Sequence, residues 1–285
     1  MTFLYGAETR GSTRWIPIGP FNLQPSEFAK PILILALAYF WSKNSATWKN
    51  IGKSVLILLP IAGLVFEQPD LGTTITLVFI WFGMLIAANI SLIKMAIMGT
   101  VGLITLPFGW FTLETYQKQR LISFMSPADY SEGIGFHAIQ SMIAVGSGEF
   151  FGRGLGRGTQ SRLQFLPEFR TDFIFAFIAE ELGFVGSITV LLLYALIFYF
   201  CFKLMINIRD RFGELIIVGV MSMLFVQIVI NIGMNIGSLP ITGITLPLLS
   251  YGGSSVLTTL ICFGFLGSIG RFGTKKREIE QFTLT

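Results

Sequence analysis

About seven apolar runs, most near the ~20 residues that carry a helix across a bilayer, dominate this chain and leave it few soluble folds. They are Glu27–Trp41, Ser54–Phe66, Leu71–Asn89, Leu92–Phe111, Asp172–Met205, Leu215–Gly237 and Ile244–Ile269. Ser54–Phe66 is short unless its flanks join the helix. Asp172–Met205 is long, which suits either a tilted helix or a half-helix leading into a full one. None of the runs shows the period-two alternation of barrel strands, so the expected spans are α-helices. The predicted fold class is an all-α integral membrane protein. It is a polytopic helical bundle with one long loop, Thr112–Thr171, and residues 1–285 form a single membrane domain.

Composition agrees. Of 285 residues, 53% are hydrophobic and 13% charged. That charged fraction is about half the roughly 25% of a soluble domain, so polar surface could not cover the core. Cys201 and Cys262 lie inside apolar runs and read as small hydrophobes, not as a disulfide. His137 is the one histidine, which argues against a His-based metal cluster. A lone histidine reads first as a structural hydrogen-bonder. The net charge is only +4, and no nucleic-acid partner is expected. Residues Met1–Gly19 carry Glu8, Arg10 and Arg14 and read as a polar loop, not a signal peptide.

Lys and Arg in the short loops orient the helices. One alternate set of loops holds Lys43, Lys49 and Lys53, then Lys94, then Lys203, Arg209 and Arg211, then the tail with Arg271, Lys275, Lys276 and Arg277. The opposite short loops, around Glu67–Asp70 and Ser238–Gly243, hold none. The tail is therefore expected in the cytoplasm, and Thr112–Thr171 outside. That outer loop is itself basic, with Lys118, Arg120, Arg153, Arg157, Arg162 and Arg170.

Asp172 sits where this loop meets a wholly apolar run, and Glu180 and Glu181 follow within the run. Carboxylates so near the membrane usually report chemistry or a transport path. Gln24-Pro25-Ser26-Glu27-Phe28-Ala29-Lys30 opens the first helix. Glu27 there is either an interfacial cap or half of a charge pair with Lys30 lining a cavity. Asp70, after Pro69, reads as the cap of the next helix.

The loop Gly152-Arg153-Gly154-Leu155-Gly156-Arg157-Gly158 superficially matches a dinucleotide fingerprint but follows no strand. It is either a solvated flexible loop or a cradle whose N–H groups and arginines suit a pyrophosphate. The segments Asn231–Met234 and Leu239–Pro247 flank an outward turn, and Ser250-Tyr251-Gly252-Gly253-Ser254-Ser255 interrupts the last helix. They read as scaffold around a groove, with Ser254 and Ser255 as candidate ligands.

Taken in order, the blocks QPSEFAK, QPDLGT, GFHAIQS, GEFFGRGLG, PEFRTDFIFAFIAEELG and NIGM…LPITGITLPLLSYGGSS resemble the SEDS family of cell-wall polymerases: RodA, FtsW and their sporulation relatives. His137 and the Asn231–Met234 block look more like RodA than FtsW. The resemblance implies a membrane peptidoglycan glycosyltransferase that polymerises lipid II, an undecaprenyl-pyrophosphate-linked disaccharide pentapeptide, outside the cytoplasmic membrane. It assigns the catalytic aspartate to Asp172 and an activity-supporting charge pair to Glu27 and Lys30. The family usually has about ten helices, so the chain is expected to lack the first three. The position before Thr171 is often His in the family and is Arg170 here.

Glycosyl transfer from a lipid pyrophosphate needs a base for the acceptor hydroxyl and positive charge for the leaving group. Asp172 is the expected base. Lys118, Arg120, Arg153, Arg157, Arg170 or a divalent cation, Mg or Mn, are candidates for the pyrophosphate, and no tightly bound cofactor is expected. The partners the resemblance implies are lipid II, undecaprenyl-linked glycan, a class B penicillin-binding protein and elongasome membrane proteins. Two rival functions fit the same features: a lipid II flippase, and a non-catalytic scaffold of the wall-synthesis complex.

Overall fold

Each of the seven apolar runs contains a helix in the computed structural model, which describes residues 7–9, 12–18, 21–127, 133–162 and 170–283. These helices are α1 (Pro25–Lys43), α2 (Trp48–Glu67), α3 (Leu71–Ala87), α4 (Leu92–Thr112), α8 (Ile174–Asn207), α9 (Arg211–Asn235) and α10 (Gly253–Thr283). Among the described residues, Trp48–Glu67, Ile174–Asn207, Arg211–Asn235 and Gly253–Phe272 are long and apolar enough to cross a membrane, and Leu71–Ala87 and Leu92–Thr105 are shorter apolar helices. The protein is an all-α, multi-pass membrane protein. A small antiparallel meander precedes α1: β1 (Ala7–Thr9), β2 (Ser12–Ile18) and β3 (Phe21–Leu23). The stretch expected as a polar loop is thus partly strand.

The long loop also carries structure. It holds α5 (Thr115–Met125), α6 (Ile134–Ser147) and the single turn α7 (Thr159–Arg162). Residues 167–169, which begin the block around Asp172, lie outside the described residues. The last apolar run differs from expectation: it becomes helical only from Gly253. Residues 244–252 run as turns and extended chain. Pro247 has no N–H to give a helix, and other groups take the local backbone atoms. Tyr194 Oη donates to the Pro247 carbonyl at 2.6 Å, and Ser250 Oγ accepts from Leu246 N at 2.7 Å. Non-helical backbone inside a membrane protein is tolerated where other groups satisfy it in this way.

The chain divides into two compact units. The first comprises Met1–Ser91, Leu196–Val226 and Gly253–Thr285. Its core is the face of α1 bearing Leu33, Ile34, Leu37, Ala38 and Trp41, packed with Leu77, Ile80 and Met84 of α3. The start of α9 joins them closely: a Cβ on Gly219 would lie 2.8 Å from Ile34 and 3.2 Å from the Met84 sulfur. Small residues at such crossings let backbones approach where no hydrophobic drive exists between helices in lipid. Trp81 donates to Ser54 at 3.0 Å, joining α3 to α2. Arg211 donates to the Ala87 carbonyl at the α3 C-terminus, where the helix dipole favours a cation, and pairs with Glu214 at 2.8 Å.

The second unit comprises Leu92–Ala195 and Gln227–Gly252. Ala144, Phe173 and Ala176 form its local core, with Val145 and Ile241 against them. Here α8 is broken. Gly183 has φ +65 and ψ −157, so the long run is a half-helix leading into a full one.

Candidate active site

The break in α8 explains Gly148–Gly158. A broken helix frees carbonyls before the break and N–H groups after it. The carbonyls of Glu180 and Glu181 accept from Arg153 N and Gly154 N, both at 3.0 Å. The N–H groups of Phe184 and Val185 donate to Glu149 O at 2.9 Å and Phe150 O at 3.2 Å. The loop thus completes the hydrogen bonding that the break removes. Contact is close enough that a Cβ on Gly183 would lie 2.3 Å from Gly152 N.

The two carboxylates of α8 finish the arrangement. Glu181 Oε1 accepts from Gly156 N at 2.9 Å. Glu180 Oε1 accepts from Gln160 N at 2.9 Å and Thr159 Oγ1 at 3.2 Å. Both residues are buried. This corrects the pyrophosphate-cradle reading of the glycine loop. Its Arg153 and Gly154 N–H groups are taken by backbone carbonyls, and its Gly156 N–H meets the protein's own carboxylate, that of Glu181. Arg153 and Arg157 remain exposed, and Arg153 Nε donates to Ser147 O at 3.2 Å.

Asp172 is half-buried, two residues before α8 begins at Ile174. The carbonyls of the chain leading to it are held in series. Tyr251 N donates to Arg170 O at 2.8 Å, and Ser250 Oγ donates to Thr171 O at 2.6 Å. Asn231 Nδ2 donates to Asp172 O at 2.9 Å and also to Ile244 O at 2.7 Å. Asn235 Nδ2 adds a bond to Asp172 O at 3.1 Å. Asn231 and Asn235 are one turn apart on α9 and fully buried. Gly243, at φ +77, marks the mouth of this arrangement. A Cβ there would lie 3.6 Å from Asp172 Oδ2 and 3.9 Å from Arg120 Nη1. The acid and the guanidinium therefore approach one point from two elements.

Arg120 projects from α5, its guanidinium 5.7 Å from the Tyr116 ring centre. A small cleft is lined by Arg120, Phe124, Met142, Met234, Leu239 and Ile241. It joins a cation to apolar side chains. Lys118, two residues from Arg120, lies about 200° around the helix and so on another face. Arg170 is exposed, one residue from Thr171 in the chain. The fold brings Arg120, distant in sequence from Asp172, to within 4 Å of the same point as its carboxylate. Sequence reasoning missed Asn231 and Asn235 as individual residues. Their signal was available: two amides one helical turn apart inside an apolar run.

The first unit builds a separate polar cluster. Lys30 Nζ lies 2.7 Å from Glu27 Oε2, and both side chains are at least nine-tenths buried. Glu27, in the first turn of the helix that Pro25 opens, forms a buried charge pair with Lys30. Asp70 caps α3 as expected, with Oδ1 accepting from Thr73 N at 3.1 Å. Asp70 Oδ2 also accepts from Ser26 Oγ at 2.9 Å, Gln24 Nε2 at 3.0 Å and Thr73 Oγ1 at 2.9 Å. Ser254 Oγ accepts from Gln24 N at 2.9 Å and donates to Asn22 O at 3.2 Å. That is a structural tie, which corrects its assignment as a ligand. Ser255 is buried, its carbonyl accepting from Thr259 Oγ1 at 2.8 Å. His137 Nδ1 is buried without a hydrogen-bond partner among the described residues, so the structural-hydrogen-bonder reading fails at that nitrogen.

These features define a polytopic membrane protein with a guanidinium lining a small cleft and an acid that approaches the same point beside Gly243. Comparison with known proteins gives its family. Residues 1–275 match the family model of FtsW, RodA and SpoVE, described as cell cycle proteins. Stage V sporulation protein E of Bacillus subtilis (strain 168) is 39% identical over 274 residues, covering 94% of this chain and 74% of that protein. Peptidoglycan glycosyltransferase MrdB of Escherichia coli (strain K12) is 40% identical over 270 residues, covering 93% and 72%. A chain solved in a peptidoglycan synthase complex that coordinates polymerization and crosslinking superposes with TM-score 0.78 at 31% identity, covering 95% of this chain and 78% of that one. The chain belongs to the FtsW/RodA/SpoVE family.

Proposed function

We propose that this protein polymerises lipid II into glycan strands at the outer face of the cytoplasmic membrane, in service of cell shape and elongation, with Asp172 as general base. It is a peptidoglycan glycosyltransferase, the activity named for relatives such as MrdB and RodA. The observation that carries the residue-level reading is the approach of Asp172 Oδ2 and Arg120 Nη1 to the same point beside Gly243. An inverting transfer needs those two functions together: a proton acceptor for the nucleophile and a cation for the departing phosphate.

In this reading the 4-hydroxyl of the incoming lipid II attacks the anomeric carbon of the growing strand. A carbon–oxygen bond forms with inversion as the bond to the pyrophosphate breaks. The hydroxyl proton passes to Asp172, and undecaprenyl pyrophosphate leaves with the bonding pair. Arg120 meets the charge on the leaving group, with Arg153, Arg157, Lys118 and Arg170 as the wider basic field. The apolar side chains beside Arg120 offer a surface against which part of a prenyl chain could lie, since such a chain cannot lie in water. A divalent cation, Mg or Mn, would arrive on the substrate's pyrophosphate. Among the described residues no three His, Cys, Asp or Glu side chains gather to cage one, so no step is routed through it.

The loop Thr112–Thr171 lies outside the cell in this reading, and the tail after α10 lies in the cytoplasm. The basic short loops support that orientation. The partner is a class B penicillin-binding protein whose transpeptidase crosslinks the new strands, within an elongation complex. Support comes from the likeness to a chain in a peptidoglycan synthase complex.

The test is strand synthesis by purified protein from lipid II. Wild type makes glycan strands in detergent, where a flippase leaves no product. Asp172→Asn keeps the fold and makes none. Normal strands from that variant sink the base assignment.

A further inference from the structure

We infer that Asn235 is a positioning residue for Asp172, acting by bridging the two backbone groups, Asp172 O and Ala176 N, that stand one step before the first hydrogen bond of α8. In an ordinary first turn, the carbonyl of residue i accepts from the N–H of residue i+4. Here the first such bond joins Phe173 O and Phe177 N, and the pair one step earlier is Asp172 O and Ala176 N. The Asn235 carboxamide meets both: Nδ2 donates to Asp172 O at 3.1 Å, and Oδ1 accepts from Ala176 N at 3.2 Å. A side-chain amide carries one acceptor and two N–H donors, so it can stand in a backbone ladder as a peptide group would. The inference rests on the reading of Asp172 as the base.

The rest of the amide is also committed. Its second N–H donates to Asn231 O at 2.8 Å, and the Asn235 backbone carbonyl accepts from Ser141 Oγ at 2.9 Å. Asn235 is fully buried, so its orientation is set by the fold and not by solvent. Asn231 holds the same Asp172 carbonyl from one turn earlier and ties it to Ile244 O. Two amides therefore converge on a single carbonyl oxygen, which has two lone pairs to receive them.

The consequence is geometric. The Asp172 backbone is pinned outside the helix proper, while Phe173 begins the regular ladder, its carbonyl accepting from Phe177 N at 3.1 Å. A backbone held in this way fixes where the Asp172 side chain departs and so narrows the directions its carboxylate can take. Catalysis by a base is steep in that direction, because an ångström of misplacement can cost on the order of 100-fold in rate. A buried amide in an apolar helix costs free energy unless fully paired. Its presence here is explained by the two groups it bridges.

The experiment uses the full chain in detergent or liposomes with lipid II as substrate. Asn235→Leu removes both bonds, and Asn235→Asp keeps the acceptor for Ala176 N. Should the leucine variant fail to fold, the aspartate variant carries the test. Three quantities are read on folded protein: amide hydrogen exchange across residues 172–177, kcat, and KM. The expected result is faster exchange in that segment and a kcat lower by on the order of 10- to 100-fold, with KM within about twofold. Unchanged exchange overturns the bridge. Faster exchange with unchanged kcat overturns the positioning role, as does a rise in KM alone, which would make Asn235 a substrate-binding group. Asp172→Asn is assayed beside it. If that variant polymerises normally, the base reading fails and the positioning role falls with it, while the exchange data still report whether Asn235 holds the turn.

Discussion

The Lys30 ammonium lies 2.7 Å from the Glu27 carboxylate, one helical turn apart on α1 and almost sealed from solvent. A buried pair of this kind contributes little by itself, but removing one member strands the other charge. Glu27→Ala is expected to destabilise the protein by about 3–5 kcal/mol. The double variant Glu27→Leu with Lys30→Met is expected to recover most of that loss. Thermal unfolding in detergent measures both. If the double variant stays stable but makes no strands, the pair serves activity beyond holding α1.

Replacing Arg120 tests the charge beside the acid. Arg120→Ala is expected to lower kcat by on the order of 100-fold, the usual cost of removing one donor to developing charge. Lys118→Ala, on another face of α5, is expected to have a much smaller effect. Equal losses in steady-state assays would deny Arg120 its special position.

Gly243 sits at φ +77, a conformation that a side chain adopts at a cost of roughly 1–2 kcal/mol. Gly243→Ala would also set a methyl group 3.6 Å from Asp172 Oδ2. The expected outcome is a folded protein with impaired strand synthesis. Full activity in the purified variant would show that the acid works elsewhere than over Gly243.

The loop that completes α8 tolerates nothing larger than glycine at the break. Gly183→Ala would drive a methyl group into Gly152 N at 2.3 Å, at a positive φ. We expect loss of folded protein in fluorescence-detected size exclusion. Glu181→Gln keeps a side-chain acceptor for Gly156 N and should be mild. Glu181→Leu leaves that N–H unpaired, at a cost of about 1–3 kcal/mol. Similar melting temperatures for these two variants would remove the carboxylate from its role as the loop's anion.

His137 predicts a pH effect. Burial holds its pKa below the usual imidazole value, so the folded state disfavours the protonated ring. The unfolded chain then binds the proton first, at pH about 6.5. The stability present above that pH is lost as pH falls through the lower folded value. His137→Leu should flatten this acid-side decline in a melting-temperature profile. An unaltered profile would place the responsible group elsewhere.

Much of the architecture was legible in the chain. Continuous apolar runs became helices because only a helix satisfies its own backbone inside lipid. Pro25, Glu27 and Lys30, and Asp70 before α3, were readable because capping and i,i+3 pairing are local. Asp172 was legible by its ordered motif. The tertiary structure alone decided what those residues meet. The glycine loop between Gly152 and Gly158 looked like an anion cradle until Glu180 and Glu181 filled it. Ser254 looked like a ligand until its hydroxyl proved to tie Gln24 and Asn22. Residues 244–252 were apolar enough for a helix, yet their backbone partners are Asn231, Tyr194 and Ser250. The bridge from Asn235 to Asp172 spans 63 positions. Periodicity and caps are written along the chain, whereas the partner of an exposed backbone group is chosen by whatever the fold brings beside it.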